Sequence, residues 1–89
     1  KPLISIIVPI YNVAIYIEDV VLSIVYQSYK KYRVDIVDDC GEDCSVDIAE
    51  KLLIRNNFSY KLIRHERNMG LSVARNTGVI NAVGDYLFF

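Results

Sequence analysis

Residues 3–10 read LISIIVPI, a short apolar run in which most residues are β-branched. A run of this length and composition is typical of a β-strand that is buried on both faces. The stretch that follows, residues 16–27, has apolar residues spaced three and four positions apart: Ile17, Val20, Val21, Ile24 and Val25. This spacing predicts a helix with one apolar stripe, so the chain begins with a strand followed directly by a helix.

The same alternation continues to the end of the sequence. Further strands are predicted at residues 34–37, 60–64 and 85–89. Further helices are predicted at residues 45–55, with Ser45 as N-cap, and 71–83, with Gly84 as C-terminal cap. The order β-α-β-α-β-α-β predicts an α/β fold, with a mostly parallel sheet of about four strands and helices on both faces. Ligands bind such sheets outside the carboxyl ends of the strands, which directs attention to the ends of the first two.

Composition bounds the class of protein. The 89 residues allow one domain or part of one, residues 1–89, and a hydrophobic content of 53% excludes a disordered chain. The net charge of −1 gives no reason to expect nucleic acid as a partner. No apolar run approaches the roughly 18 residues that span a bilayer, and no signal peptide precedes the first strand. A cytoplasmic location is therefore expected.

Cys40 and Cys44 are the only cysteines. A secreted disulfide scaffold of this size usually carries more, and two thiols cannot complete a tetrahedral zinc site. They are predicted to be reduced thiols without a chemical role; a redox or metal role for the pair is the alternative.

Candidate binding residues lie at the ends of the first two strands. Pro9 suits a place where strand pairing stops, and Tyr11 follows at the rim, where its ring can stack on a nucleobase. Alternatively, Tyr11 is an ordinary exposed loop residue. The second strand ends in Asp38 and Asp39, whose side chains point to opposite faces, so only one can face a cleft. Alternatively, the pair only forms a turn.

The start of the third helix offers a second candidate region. Gly70 permits close backbone approach, the helix N-terminus favours an anion, and Arg75 could pair with a phosphate. The phosphate-loop pattern G-x-x-x-x-G-K-[ST] and the dinucleotide pattern G-x-G-x-x-G are both absent. His65 has no nucleophile motif nearby, so a structural or solvent-facing role is predicted for it.

These segments together resemble the start of a family 2 glycosyltransferase of the GT-A fold. The similarity covers essentially the whole chain and is carried by five blocks in order: SIIVPIYN (5–12), SIVYQSY (23–29), IVDD (36–39), NMGLSVARNTG (68–78) and AVGDYLFF (82–89). The last block is similar to the stretch that precedes the family's D-x-D element. The resemblance implies a Rossmann-like sheet that forms the nucleotide-binding half of a larger domain.

The resemblance also implies a function. The substrate would be a nucleoside diphosphate sugar, most often a UDP-sugar, with Pro9 and Tyr11 holding the nucleoside. Asp39 would accept a hydrogen bond from the base, and Arg75 would lie near the nucleotide. The reaction would be an inverting displacement at the anomeric carbon, in polysaccharide or glycoconjugate synthesis. A carboxylate would deprotonate the acceptor hydroxyl while Mg²⁺ or Mn²⁺ stabilises the leaving diphosphate.

The sequence departs from the family pattern in three places. The loop after Asp39 usually reads G-S-T-D, but residues 40–43 read CGED. Asp35 stands where the family has an apolar residue, and a buried carboxylate without a partner costs several kcal/mol. The sequence ends at Phe89, before any D-x-D or base-bearing segment, so residues 1–89 are expected to lack the metal ligands and the catalytic base. The polypeptide is therefore expected to be inactive, and its uncovered sheet edge to favour self-association.

Two alternatives remain at this stage. One is a stand-alone nucleotide-binding module without catalysis, which kept the front half of the fold. The other is a flavodoxin-like or receiver-like α/β signalling domain; a receiver would have paired acids after the first strand and a phospho-acceptor aspartate after the third. Here the first strand ends in PIYN and the third in Arg64 and His65, which disfavours a receiver.

Overall fold

A computed structural model describes residues 4–27, 32–83 and 85–88. Its elements are β1 (Ile4–Ile10), α1 (Ala14–Gln27), β2 (Tyr32–Asp38), α2 (Ser45–Arg55), β3 (Tyr60–Arg64), α3 (Leu71–Asn81) and β4 (Asp85–Phe88). The strands form one sheet in the order β3-β2-β1-β4, and every pair is parallel. The predicted α/β class and element order are confirmed.

The two faces of the sheet are covered by different helices. On one face, the side chains of Ile6, Val8 and Ile10 from β1 and Val34 and Ile36 from β2 form a buried apolar cluster with α1 and α2. On the other face, Ile7 and Val37 pack against Ala74 of α3. The alternation along β1 explains why the run in residues 3–10 is apolar at nearly every position, and the prediction of helices on both faces is confirmed.

The end of α3 differs from its prediction. The helix ends at Asn81, two residues earlier than predicted, and Ala82 is already extended. The reason is a long-range contact: Ser5 Oγ accepts a hydrogen bond from Val83 N at 3.0 Å and lies 3.2 Å from Val83 O. These contacts hold the chain extended as it enters β4. The predicted cap Gly84 lies outside the described residues.

Asp35, which no family pattern explained, has a partner. The carboxyl group is fully buried under α3, and Arg33 on the same strand donates to both of its oxygens, at 2.8 Å and 3.1 Å. The same guanidinium donates to Asn81 O at 2.9 Å. A charged pair therefore ties the carboxyl end of α3 to β2.

Among the described residues, no helix combines the length and the apolar character needed to cross a membrane.

Candidate functional site

The carboxyl end of β1 forms one side of the candidate site. β1 lies between β2 and β4, and its described pairing with β4 ends at Ile7 and Phe88. Pro9 therefore lies beyond the last described β4 pair, where a strand can do without an N–H group. Tyr11 follows the strand, and 47% of its surface is exposed.

A cavity of about 390 Å³ opens at this rim. Its walls come from β1, from the residue after β2 and from the start of α3. They are formed by Pro9, Ile10, Tyr11, Val13, Asp39, Asn68, Gly70, Leu71 and Ala74. The structure thus brings Pro9, Tyr11 and Asp39 to one cavity at the predicted edge of the sheet. The chain places β2 and β3 on one side of β1 and then β4 on its other side. Such a switch in strand order, here beside β1, is where α/β folds commonly bind ligands.

The Asp39 carboxylate is held by three hydrogen bonds. Its Oδ1 accepts from Met69 N at 2.8 Å and lies 2.7 Å from His65 Nδ1, and its Oδ2 accepts from Gly70 N at 2.9 Å. Gly70 adopts a φ of +92°, a conformation that favours glycine and that turns its N–H toward the carboxylate. Asp39 therefore fixes the loop that begins α3 and forms one wall of the cavity.

These contacts set the charge of the site. Burial raises the pKa of the Asp39 carboxyl group, but the hydrogen bonds from His65, Met69 and Gly70 outweigh burial and hold that pKa below the usual range. Asp39 is therefore ionised at neutral pH. An ionised carboxylate can only accept hydrogen bonds, so the group it offers a ligand is an acceptor.

Asp38 faces away from the cavity. Its Oδ1 accepts from Gly41 N at 3.1 Å in the turn after β2, and Asp38 is not part of the cavity wall. The prediction that only one of the two adjacent carboxylates faces the cleft is confirmed. The turn-forming interpretation holds for Asp38, whereas Asp39 connects two loops.

The loops that follow β1 and β2 are tied to each other. Asn12 adopts a left-handed φ of 51°, and its Oδ1 accepts from Glu42 N at 2.7 Å. Asp43 Oδ2 accepts from Ala14 N at 2.9 Å, so a carboxylate of the second loop caps the first helix. Tyr11 is consequently carried on a loop that is braced from the neighbouring strand.

The prediction of Ser45 as the N-cap of α2 is wrong. Cys44 occupies the cap position, and Ser45 is the first residue of the helix. The Ser45 hydroxyl has other partners: it accepts from Val13 N at 3.0 Å across the loop boundary and donates to Asp43 Oδ1. A serine just before an apolar helix predicts a cap, but this long-range contact uses its oxygen instead.

His65 is the site residue that sequence reasoning underrated. Its side chain is 9% exposed and joins Asp39, at 2.7 Å, to Thr77 Oγ1, at 2.8 Å. The structural role predicted for it is correct, but its connection to Asp39 was not foreseen. A signal was available, because Asp39 and His65 each directly follow a strand and β2 and β3 are consecutive.

Arg75 lies elsewhere. It is exposed in α3 and is not part of the cavity wall. Its guanidinium carbon lies 5.4 Å from the ring centroid of Phe88, at the carboxyl end of β4. The nucleotide contact predicted for Arg75 stays a prediction.

The residues that the structure describes do not fit a divalent cation. Within residues 4–27, 32–83 and 85–88, no group of three or more His, Cys, Asp or Glu side chains is placed to hold a metal ion. Cys40 and Cys44 are not joined by a disulfide.

Comparison with known proteins identifies the class. Residues 5–89 match the model of glycosyl transferase family 2. TuaG of Bacillus subtilis, a glycosyltransferase assigned to teichuronic acid biosynthesis, is 42% identical over 92 residues, which cover all of this chain and 35% of TuaG. The S. aureus TarS structure in complex with UDP-GlcNAc has a TM-score of 0.86 at 36% identity, covering 96% of this chain and 25% of that one.

A third relative carries a different nucleotide. The mannosyltransferase PcManGT from Pyrobaculum calidifontis, in complex with GDP-Man and Mn²⁺, has a TM-score of 0.77 at 26% identity, over 94% of this chain and 25% of that one. The chain thus spans about a third of the length of TuaG and a quarter of each structural neighbour.

The parallel sheet and these structural neighbours define a Rossmann-like domain of the GT-A kind. The chain belongs to glycosyl transferase family 2, whose model matches residues 5–89. The resemblance noted in the sequence is confirmed.

Proposed function

We propose that the rim cavity binds the nucleoside of a nucleoside diphosphate sugar. We further propose that the protein carrying this domain transfers the sugar to an acceptor hydroxyl with inversion, in polysaccharide or glycoconjugate synthesis. One observation carries the proposal: Pro9, Tyr11 and Asp39 line a single cavity of about 390 Å³ at the carboxyl edge of a parallel sheet. The UDP-GlcNAc complex of TarS and the assignment of TuaG support the substrate class and the biosynthetic setting.

Tyr11 supplies the stacking surface in this proposal. Its ring borders the cavity and is only half buried, so a base can cover it. The braced loop limits how far the ring can move, which reduces the entropy lost on binding. Pro9 and Ile10 add apolar surface at the floor of the same cavity.

In this proposal Asp39 discriminates between nucleobases through its hydrogen bonding. A carboxylate has roughly four positions for accepting hydrogen bonds, and three are filled by His65, Met69 and Gly70. One position on Oδ2 has no partner among the described residues. Uracil offers a single imide N–H, which matches one acceptor, whereas guanine presents adjacent N1–H and amino donors that need two. This difference favours a UDP-sugar.

In this proposal, the groups that bind the nucleotide are separate from the metal ion and the base that transfer the sugar. The described residues bind and orient the nucleotide, and they do not provide a cluster for the Mg²⁺ or Mn²⁺ that the family implies. Asp39 holds the loop before α3 and, in this proposal, offers its remaining position to the nucleobase, so we assign it to binding and not to the role of the base. We therefore expect the 89-residue polypeptide alone to bind nucleotide without transferring sugar. Its four exposed β4 residues favour self-association. We also propose a cytoplasmic location, at the inner face of the membrane; the two cysteines, which are not joined by a disulfide, support only the cytoplasmic part.

Calorimetric titration of the full-length protein with UDP tests the proposal. Replacing Tyr11 by alanine removes a stacking surface and is expected to raise the Kd for UDP about 5- to 150-fold, from about 1–3 kcal/mol of stacking. The matched control is Tyr16→Ala, since Tyr16 is a tyrosine of α1 with 65% exposure that is not part of the cavity wall.

The control variant should bind UDP as the unmodified protein does, and GDP should bind the unmodified protein more weakly than UDP. Equal affinities of Tyr11→Ala and Tyr16→Ala for UDP would remove the cavity assignment. Tighter binding of GDP than of UDP would leave the cavity but overturn the choice of base.

A further inference from the structure

A line of hydrogen bonds runs behind the cavity from Asp39 through His65 to Thr77. His65 Nδ1 lies 2.7 Å from Asp39 Oδ1, and His65 Nε2 lies 2.8 Å from Thr77 Oγ1. His65 does not line the cavity; it borders a separate surface hollow together with Arg64 and Arg67. It therefore contacts the carboxylate that faces the ligand without reaching the ligand itself.

The chemistry of the three groups fixes where the hydrogens lie. An ionised Asp39 only accepts, so His65 Nδ1 carries a hydrogen. The Thr77 hydroxyl has two acceptors within reach, His65 Nε2 and, at 3.0 Å, Val73 O. With a neutral ring, Thr77 donates to Nε2. With a protonated ring, Nε2 donates to Thr77, which turns its hydrogen to Val73 O. Both forms satisfy every group, so the ring keeps its position in either state.

This arrangement determines which oxygen of Asp39 is left for a ligand. His65 and Met69 together fill Oδ1, while Oδ2 accepts only from Gly70 among the described residues. His65 is the one side chain among the three donors, and its direction is set by Thr77 rather than by the loop that it helps to hold. Without His65, the carboxylate would have a free position on each oxygen and could rotate between them.

We propose that His65 is a positioning residue for nucleotide binding: it holds Asp39 so that Oδ2 meets the base, and Thr77 holds the His65 ring. This inference rests on the proposed function, because it assumes that a nucleobase binds at Asp39. A purely structural His65, which only ties β3 to α3, would lower the folded fraction of the protein and leave the affinity of the folded molecules unchanged.

Calorimetric titration of the full-length protein with UDP separates these two roles. Since reversible unfolding raises the apparent Kd in inverse proportion to the folded fraction, urea unfolding of each variant first gives that fraction at the titration temperature. The apparent Kd multiplied by the folded fraction is then the affinity of the folded molecules. His65→Leu removes the hydrogen bond to Asp39 and is expected to raise the Kd about tenfold, the size expected for one hydrogen bond to a charged group. His65→Asn keeps a side-chain N–H near the position of Nδ1 and is expected to recover most of that loss.

Thr77 provides a second, milder pair of variants. Thr77→Val keeps the shape but removes the partner of Nε2, so we expect about a threefold rise in Kd; Thr77→Ser keeps the hydroxyl and should lose less. This pair decides the question if His65→Leu does not fold.

The outcomes distinguish this inference from the proposed function. If Tyr11→Ala weakens UDP binding while His65→Leu and Thr77→Val keep the Kd of the unmodified protein after correction for the folded fraction, the positioning role is wrong and the cavity assignment stands. If Tyr11→Ala binds UDP as tightly as the unmodified protein, the cavity assignment fails and the positioning role fails with it. A rise in Kd for His65→Leu that His65→Asn reverses supports the positioning role.

Discussion

The two faces of the sheet are held together by different physics. Under α1 and α2, most buried side chains of the described residues are aliphatic or aromatic and form one cluster, with Asp38 and Ser45 as buried polar residues at its edge. Under α3 the described apolar cluster is small, with Ile7, Val37 and Ala74 at its centre. Apolar burial at about 25 cal/mol per Å² therefore stabilises mainly the first face.

On the second face, polar contacts attach the ends of α3 to the sheet. Asp39 holds the start of the helix through Gly70 N, and Arg33 holds its end through Asn81 O. Ser5 then holds the chain that leaves it through Val83. Apolar contacts are non-directional, whereas hydrogen bonds fix position. We infer that the first face provides stability and the second places the N-terminus of α3, which forms a wall of the cavity.

The largest loss of stability is expected when one member of a buried charged pair is removed and the other is left in place. Arg33→Met leaves the fully buried carboxylate of Asp35 without its partner, which we expect to lower the free energy of unfolding by about 3–5 kcal/mol. Lys51→Met is the control: Lys51 is an exposed lysine of α2, on the other face of the sheet, so its loss should cost less than about 0.5 kcal/mol.

Urea unfolding measures both variants. The double variant Arg33→Met with Asp35→Leu removes both charges and should recover most of the stability. A loss below about 1 kcal/mol for Arg33→Met alone would mean that the charged pair is not what attaches the end of α3 to β2.

A smaller loss of stability is expected from crowding the contact between α3 and β1 at Gly78. A Cβ atom added at Gly78 would overlap with Ile7 Cγ2, at a separation that side chains do not tolerate. Gly78→Ala must therefore lift the helix from β1. We expect a net loss of about 1–2 kcal/mol, because overpacking costs about 1–3 kcal/mol and the better helix propensity of alanine returns up to about 1.

A substitution at Ile7 on β1 should compensate for the added methyl group at residue 78. Ile7→Ala removes the clashing methyl group, so the double variant should cost less than the sum of the two single variants in thermal unfolding. If the losses of stability from the two single variants simply add, α3 accommodates the added methyl group without contacting Ile7.

The helices and strands that pack through apolar side chains were predicted well from the sequence. The helix over residues 45–55 and the strand over residues 60–64 have the bounds that periodicity gave them, because both patterns report local burial. The pairing of Arg33 with Asp35 was also within reach of the sequence, since residues two apart on a strand face the same side.

The polar contacts between distant residues could be predicted only in part. Tyr11 and Asp39 were placed at one edge because parallel strands end together, and that placement is what the structure has. His65 lies 26 residues from Asp39, and Ser45 lies 32 from Val13. These contacts depend on strand register and loop shape, which no local pattern reports, so the serine was misassigned as a cap and the histidine was not connected to Asp39.

The smallest effect we expect is on the pH dependence of stability, and it compares the two loops at the rim. The hydrogen bond from Ser45 is the main reason that the pKa of the Asp43 carboxyl group lies below its usual value, and the pKa of Asp39 is lowered as well. A group whose pKa is lower in the folded state adds stability above its unfolded pKa of about 3.9, and this stability is lost as the pH falls through the folded pKa. The melting temperature should therefore fall steeply only below about pH 4.

Asp43→Asn sharpens this expectation. Asparagine can still cap a helix, so the variant should keep most of its stability at pH 7 while its melting temperature falls less steeply in acid. Asp47→Asn is the matched control, since Asp47 is an exposed aspartate in the first turn of α2. Equal acid slopes for Asp43→Asn and the unmodified protein would mean that the brace between the two loops does not depend on charge. In that case the loop that carries Tyr11 would be held by hydrogen bonds that need no charge, from Asn12, Ser45 and the acceptor at residue 43.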